Sequence, residues 1–370
     1  MEATSWYAIT DINKLDTPAL VVYPDRVKHN IELLKQLVGD TGRLRPHLKS
    51  HKSADALRLN MQAGITKFKC ATIAEAEMAG LCLAPDVLLA YQPVGPKLER
   101  FVNLIKYYPE THYSCLVDSV IAAKHIAEAA FANKLVIDVY IDINVGMNRT
   151  GIAAGADAIA LYIACSQMNG INLRGLHAYD GHIHDADIEV RRVRCEAAFE
   201  PLKKMIVQLK ALNYTPLVIA GGTPTLPVHL QWKEAECSPG TYIYWDVNYE
   251  QSYPEQPFLP AALLVTRVVS LPDETKICVD LGHKSISAEN PLDKRVVFLN
   301  APELTPVSHS EEHMVLEAGI GHTYQQGDVL YGLPYHICPG VALYERAITI
   351  ENGHITGEWK TTARDRKINF

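Results

Sequence analysis

A regular alternation of short β-type runs with amphipathic helical stretches limits this chain to a small set of folds. The β-type runs fall at residues 44–49, 67–72, 87–91, 113–117, 136–143, 173–179, 217–222 and 238–245. Helical stretches such as 73–81, 97–106, 120–132, 156–168 and 190–212 separate them. Strands alternating with helices specify parallel βαβ units, because a parallel neighbour is reached only through a crossover that a helix can fill. Eight such runs are also the number that closes a barrel. A (β/α)8 TIM-like barrel is therefore the first expectation, and an open doubly wound sheet the second.

Beyond Pro254 the pattern changes to mainly β-type runs at 261–270, 276–281, 295–299, 313–317, 328–332 and 342–351, separated by turns such as Pro272-Asp273 and Asn352-Gly353. This predicts a barrel over residues 16–254, then a mainly antiparallel β domain over 255–370 that also takes in residues 1–15. A chain of 370 residues with 48% hydrophobic content can fill two such cores.

Charge and patterning exclude several partner classes. A net charge of −7 recommends neither nucleic acid nor an anionic membrane. No apolar run approaches the roughly 18 residues that span a bilayer, and the start of the chain lacks the basic-then-apolar pattern of a signal peptide. The eight cysteines are scattered through apolar runs, as buried residues of a reducing, cytoplasmic protein would be.

In a barrel of this kind the chemistry lies where strands end. Those positions carry Lys49, Thr72, Tyr91-Gln92, Asp118, the 144–149 loop, His177, Tyr179, Gly221-Gly222-Thr223 and Gly240-Thr241-Tyr242. A strand-end lysine can form a Schiff base with pyridoxal phosphate, since burial lowers its pKa and frees the amine. A solvated basic loop is the alternative for a segment that also holds Arg43, Arg45 and Lys52. The two glycine turns follow the seventh and eighth runs, where barrels commonly hold a phosphate, and Thr223 adds a hydroxyl donor. Arg149 can donate to the phenolic oxygen of the cofactor, and Tyr179 can meet its ring nitrogen. A tyrosine there makes a weaker electron sink than a carboxylate would.

Arg-Pro-His-x-Lys-x-His-Lys around Lys49, Ala178-Tyr179-x-Gly181-His182, the Gly-Gly-Thr turn, Pro-Gly-Thr-Tyr with Asp246, Glu311-Glu312-His313 and Pro334-Tyr335-His336-x-Cys338-Pro339 occur in this order. As a set they resemble the D-threonine aldolase and D-serine dehydratase family of pyridoxal phosphate enzymes, whose barrel is of the alanine racemase type. The resemblance runs from about residue 16 to the C-terminus. It implies that Lys49, rather than Lys52, carries the cofactor. It places Arg149 and Tyr179 on the ring, and Gly222, Thr223, Gly240, Thr241 and the adjoining Tyr242 on the phosphate side. It also implies a homodimer with active sites near the subunit interface.

His336 and Cys338 lie in a segment bounded by prolines, and residues i and i+2 of a strand project to one face. An imidazole with a thiolate suits zinc, with manganese or magnesium as harder alternatives. The family resemblance implies a divalent ion here. Aldolases of the family tend to show His-x-Asp and dehydratases His-x-Cys, so Cys338 pulls towards the dehydratase. The tyrosine expected at the ring nitrogen pulls towards retro-aldol cleavage. The expected function is a metal-dependent lyase on D-β-hydroxy-α-amino acids, with a D-threonine aldolase placed ahead of a D-serine dehydratase. A racemase or a non-catalytic cofactor carrier ranks lower. His182 and metal-bound water are alternative acceptors of the hydroxyl proton.

Overall fold

The computed structural model describes residues 5–370, and its strands form two separate sheets. After β1 (Ala19–Val22), the chain lays down β2 (Lys67–Cys70), β3 (Asp86–Leu89), β4 (His112–Val117), β5 (Ile137–Asn144), β6 (Ile152–Ala153), β7 (Ile171–Ala178), β8 (Leu217–Ala220) and β9 (Ala235–Cys237). These last eight make one parallel sheet in the order β2-β3-β4-β5-β7-β8-β9, with the short β6 beside β5. The run at 44–49 forms no ladder. Instead Leu44 bridges Cys237 at one edge of the sheet and His47 bridges Lys69 at the other. Three backbone bonds of 2.9 Å hold it: Arg45 N–H to Cys237 O, His47 N–H to Pro239 O, and Lys69 N–H to Pro46 O. Seven strands and this segment therefore close the barrel. Pro46 has no N–H to give a continuous ladder, and the chain then tightens into the 3₁₀ turn Leu48–Ser50.

The last barrel strand also differs from expectation. It runs over Ala235–Cys237 and stops before Pro239, while Thr241–Ile243, expected to be extended, is a 3₁₀ turn. The helices match their pattern closely. Ile73–Leu81 begins at Thr72, whose hydroxyl accepts the Glu75 N–H at 3.1 Å, while the Glu75 carboxylate accepts the Ala71 N–H at 2.6 Å. Those reciprocal bonds satisfy N–H groups that a helix start leaves orphaned.

The end of the barrel opposite the strand mouths is ionic. Arg45, 1% exposed, donates to Asp86 at 2.6 and 3.0 Å and to Glu236 at 2.7 Å. Above this layer Leu88, Leu116, Tyr140 and Ile219 pack as an apolar plug. Removing one member of a buried ion pair leaves its partners uncompensated, at a cost of about 3 kcal/mol. Arg45→Met is expected to lower the urea midpoint accordingly; an unchanged midpoint would show that the layer contributes nothing to stability.

The second sheet comprises β1 together with β10 (Ala262–Ser270), β11 (Lys276–Val279), β12 (Val296–Phe298), β13 (Thr305–His309), β14 (Met314–Glu317), β15 (Val329–Pro334), β16 (Arg346–Glu351) and β17 (His354–Lys360). Its order is β13-β14-β11-β10-β1-β16-β17, with β15 pairing β10 and β12. All pairings are antiparallel except β1 with β16. Val21, Leu263, Val265, Leu333 and Ile350 form part of its buried core. β1, which the sequence places with the barrel, is thus a central strand here.

Contacts divide the chain into two units. One contains residues 5–33, Ser50–Ala56 and Thr241–Arg364; the other contains Leu34–Lys49, Leu57–Gly240 and Asp365–Phe370. Among the described residues, no helix is long and apolar enough to cross a membrane.

Candidate active site

Lys49 stands on the 3₁₀ turn where the closing segment ends, and its backbone N–H donates to His47 Nδ1 at 3.2 Å. It lines a cavity of about 210 Å³ with His47, Lys69, Tyr91, Arg149, His177 and Tyr179. Three basic side chains surround the Tyr179 ring: Arg149 Cζ, Lys69 Nζ and Lys49 Nζ lie 5.2, 5.6 and 5.7 Å from its centroid. The ring is wedged between two glycines. A Cβ at Gly181 would fall 2.4 Å from it and one at Gly222 3.0 Å, so both positions need the bare backbone. Lys52 is absent from this cavity's lining.

The loop that delivers Arg149 is tied down at both ends. Asn144 Oδ1 accepts the N–H groups of Gly146 at 3.0 Å and Asn148 at 3.1 Å. Thr150 Oγ1 donates to Asp142 at 2.8 Å, and Gly151 N–H donates to Asp118 at 3.1 Å. Arg149 is solvent-exposed on one side while it lines the cavity.

On the barrel's other flank, Gly240 N–H donates to Thr223 Oγ1 at 2.9 Å, which joins the two glycine turns. A buried carboxylate fastens the turn at 221–225 to the end of β7. Asp180, next to Tyr179, accepts from Thr225 Oγ1 at 2.9 Å and from His229 Nε2 at 2.7 Å, with Cys195 Sγ at 3.6 Å. Asp180, Cys195 and His229 carry atoms that can ligate a metal, but these contacts account for them as a brace. Ser238, adjacent through its N–H bond to Ala220 O at 3.3 Å, has a buried hydroxyl without a partner. A glycine turn beside a spare buried hydroxyl fits a phosphate. Thr241 and Tyr242 belong to the other unit, where the Tyr242 ring packs on Phe258 at 5.9 Å.

His182 does not line the Lys49 cavity. Its ring lies against the 144–149 loop, where a Cβ at Gly146 would meet Nε2 at 2.9 Å, and its buried Nδ1 has no partner. The residue that sequence reasoning missed is Lys69. Lys67 and Lys69 share one side of β2, and an inward lysine near a barrel strand's end was the available signal. Burial, then the charge on Lys49, lowers the Lys69 amine to about 7. Its Nζ lies 3.5 Å from His177 Nε2, and His177 Nδ1 lies 2.8 Å from Asp142. Although burial opposes it, bonds to His177 and Thr150 hold Asp142 below the ordinary carboxylate range.

In the other unit the expected extended segment is cut short. β15 ends at Pro334, His336 caps the helix Ile337–Val341, and Cys338 sits in that helix's first turn. Their side chains still meet. Burial opposes both charges, yet Cys338 lifts His336 to about 9 and His336 lowers Cys338, so each favours the other's charged form. Cys338 Sγ lies 3.3 Å from Ser50 Oγ and 3.7 Å from Thr241 Oγ1. His336 Nδ1 contacts Glu289 Oε1 at 2.6 Å, which leaves Nε2 as the ligating atom. Buried Asp246 accepts the Ile337 and Tyr249 N–H groups, each at 3.1 Å, and fixes where the turn begins. A thiolate and a nitrogen on neighbouring positions fit a divalent ion that replaces their shared proton.

Two family models cover most of the chain: alanine racemase, N-terminal domain, over residues 22–247, and putative serine dehydratase domain over residues 261–350. The chain belongs to the alanine racemase N-terminal domain family. It is 25% identical to a D-threonine aldolase of Arthrobacter sp, over 95% of this chain and 93% of that one. It is 27% identical to a D-threo-3-hydroxyaspartate dehydratase of Delftia sp. (strain HT23), over 88% and 91%. The crystal structure of a D-threonine aldolase from Filomicrobium marinum superposes with a TM-score of 0.88 at 27% identity, covering 98% of this chain and 99% of that one.

Proposed function

We propose that this alanine racemase-type chain is a pyridoxal phosphate-dependent lyase acting on D-β-hydroxy-α-amino acids, and that its reaction is D-threonine aldolase cleavage to glycine and an aldehyde. The observation that carries the reading is the single cavity in which Lys49 and Arg149 flank Tyr179. The aldolase and dehydratase relatives support the same class. Pyridoxal phosphate supplies an electrophilic aldehyde and an electron sink, and a divalent ion supplies a Lewis acid.

Lys49 would provide the amine that holds the cofactor. Arg149 would donate to the cofactor's phenolic oxygen, and Tyr179 would set the environment of its ring nitrogen. Gly222, Thr223, Gly240 and Ser238 hold the phosphate, with Thr241 and Tyr242 continuing that turn. His336 and Cys338 would hold the ion, with zinc favoured by the sulfur ligand, and the ion would supply a Lewis acid for a hydroxyl. His182, expected from the sequence as an acceptor for that hydroxyl's proton, does not line the Lys49 cavity and takes no part in the reading. The working form is a homodimer.

Cys338 favours a second reading, dehydration of D-serine or a related substrate, because its thiolate matches the pattern of the dehydratase branch. Purified protein loaded with cofactor and metal separates them. D-threonine yielding acetaldehyde and glycine establishes the aldolase, whereas D-serine yielding pyruvate and ammonia establishes the dehydratase. Neither product from either substrate would end the lyase reading.

Arg149→Ala is expected to keep the fold, shift the cofactor's visible absorption, and lower kcat by about 10²-fold, the scale for losing one preorganised donor. An unchanged spectrum and rate would return Arg149 to a surface role.

A further inference from the structure

We propose that Lys69 is the base that takes the β-hydroxyl proton in the Lys49 cavity, with His177 and Asp142 as the pair that positions it. The inference rests on the lyase reading above. Lys69 shares the cavity with Lys49, and the two amines stand almost equally far from the Tyr179 ring. It is 2% exposed, so its only open side is the cavity. A lysine buried at that level is charged only where the surroundings compensate it. Here they do so partially.

Arg45, His47 and Lys49 face it from the closing segment, Asp142 and Arg149 from β5 and its loop, and His177, Tyr179 and Asp180 from the end of β7. Three of these are fixed cations or free amines, and two are carboxylates. The resulting value of about 7 lets the amine exchange a proton at neutral pH. His177 completes the device. Its Nδ1–H donates to Asp142, so Nε2 is an acceptor that engages one Lys69 N–H and fixes the amine. Burial keeps His177 itself below its ordinary range, so it orients without competing for the proton.

In the step, the substrate O–H bond breaks and its proton goes to Lys69 Nζ. The oxygen electron pair forms the aldehyde C=O, and the Cα–Cβ bond breaks with its pair passing to Cα, where the cofactor would delocalise it until a proton returns to complete glycine. Lys69 acts in its neutral form, so kcat falls as pH drops and the amine becomes protonated.

The test compares holoenzyme variants by cofactor spectrum and by the pH profile of kcat. Lys69→Met is expected to load cofactor on Lys49, shown by peptide mapping after borohydride reduction. Its kcat should fall by about 10²–10⁴-fold, with KM changing far less and the acid limb gone. Lys69→Arg, a cation at every pH, should not restore the rate, whereas methylamine added to Lys69→Ala should restore part of it. Wild-type kcat with the acid limb intact in Lys69→Met, or full activity in Lys69→Arg, would overturn the proposal. If Lys69→Met does not fold, His177→Gln decides: the limb and rate should change, and an unaltered profile overturns it. A wild-type protein that takes up no cofactor or cleaves no D-β-hydroxy amino acid would instead defeat the lyase reading.

Discussion

Lys49→Ala is expected to remove both the visible absorption of a lysine-bound cofactor and at least about 10³-fold of turnover, since the covalent anchor and its nucleophile disappear together. The competing amine in this experiment is Lys69, because Lys52 does not line the cavity and Lys69 does. Borohydride reduction of the wild-type holoenzyme and mapping of the labelled peptide tells them apart. A label on 49 assigns the anchor to Lys49. A label on 69 would reverse the roles of the two amines. The fold should survive the substitution, because Lys49 is on a half-buried turn and carries no salt bridge that holds the barrel shut.

Metal removal should have an effect of similar size. His336 and Cys338 are the only two ligands assigned to the ion, and a site with so few protein ligands in a large fold can be emptied without unfolding. Chelation is expected to abolish lyase activity and leave the cofactor spectrum nearly unchanged, since Lys49 and the glycine turns hold the cofactor independently. Readdition of zinc should restore the rate. Cys338→Asp should retain an ion but shift preference towards manganese or magnesium, because a hard carboxylate replaces a soft thiolate. Full activity in metal-free protein, or in the His336→Ala/Cys338→Ala double variant, would remove the ion from the mechanism.

The barrel was legible because parallel strands buried on both faces give continuous apolar runs, and the helices between them carry a 3.6-residue stripe. β5 is buried along almost its whole length and was read within a residue or two. The irregular staves were not. Pro46 and Pro239 interrupt hydrogen-bond ladders at the two ends where the barrel meets itself, and apolar periodicity carries no record of a missing N–H. β1 was misplaced for a different reason. Its pairing with β10 and β16 joins residues more than two hundred positions apart, and a short buried strand has the same composition in either sheet.

The site divides along the same line. Lys49, Arg149 and Tyr179, singled out at the ends of runs with the help of the family resemblance, line one cavity, and His336 and Cys338 adjoin each other. The reasoning for that last pair assumed a strand, yet the side chains meet through a helix start that Asp246 pins. By itself, the sequence determined the alternation that makes a barrel, the β-rich second half, and the order in which lysine, arginine and tyrosine fall at the ends of its runs. Only the tertiary structure decided that Lys69 enters the Lys49 cavity, that His182 stays outside it, and that Asp180 ties two loops together. Burial depth and the charges facing a group come from contacts distant in sequence, and those contacts set its protonation and reach.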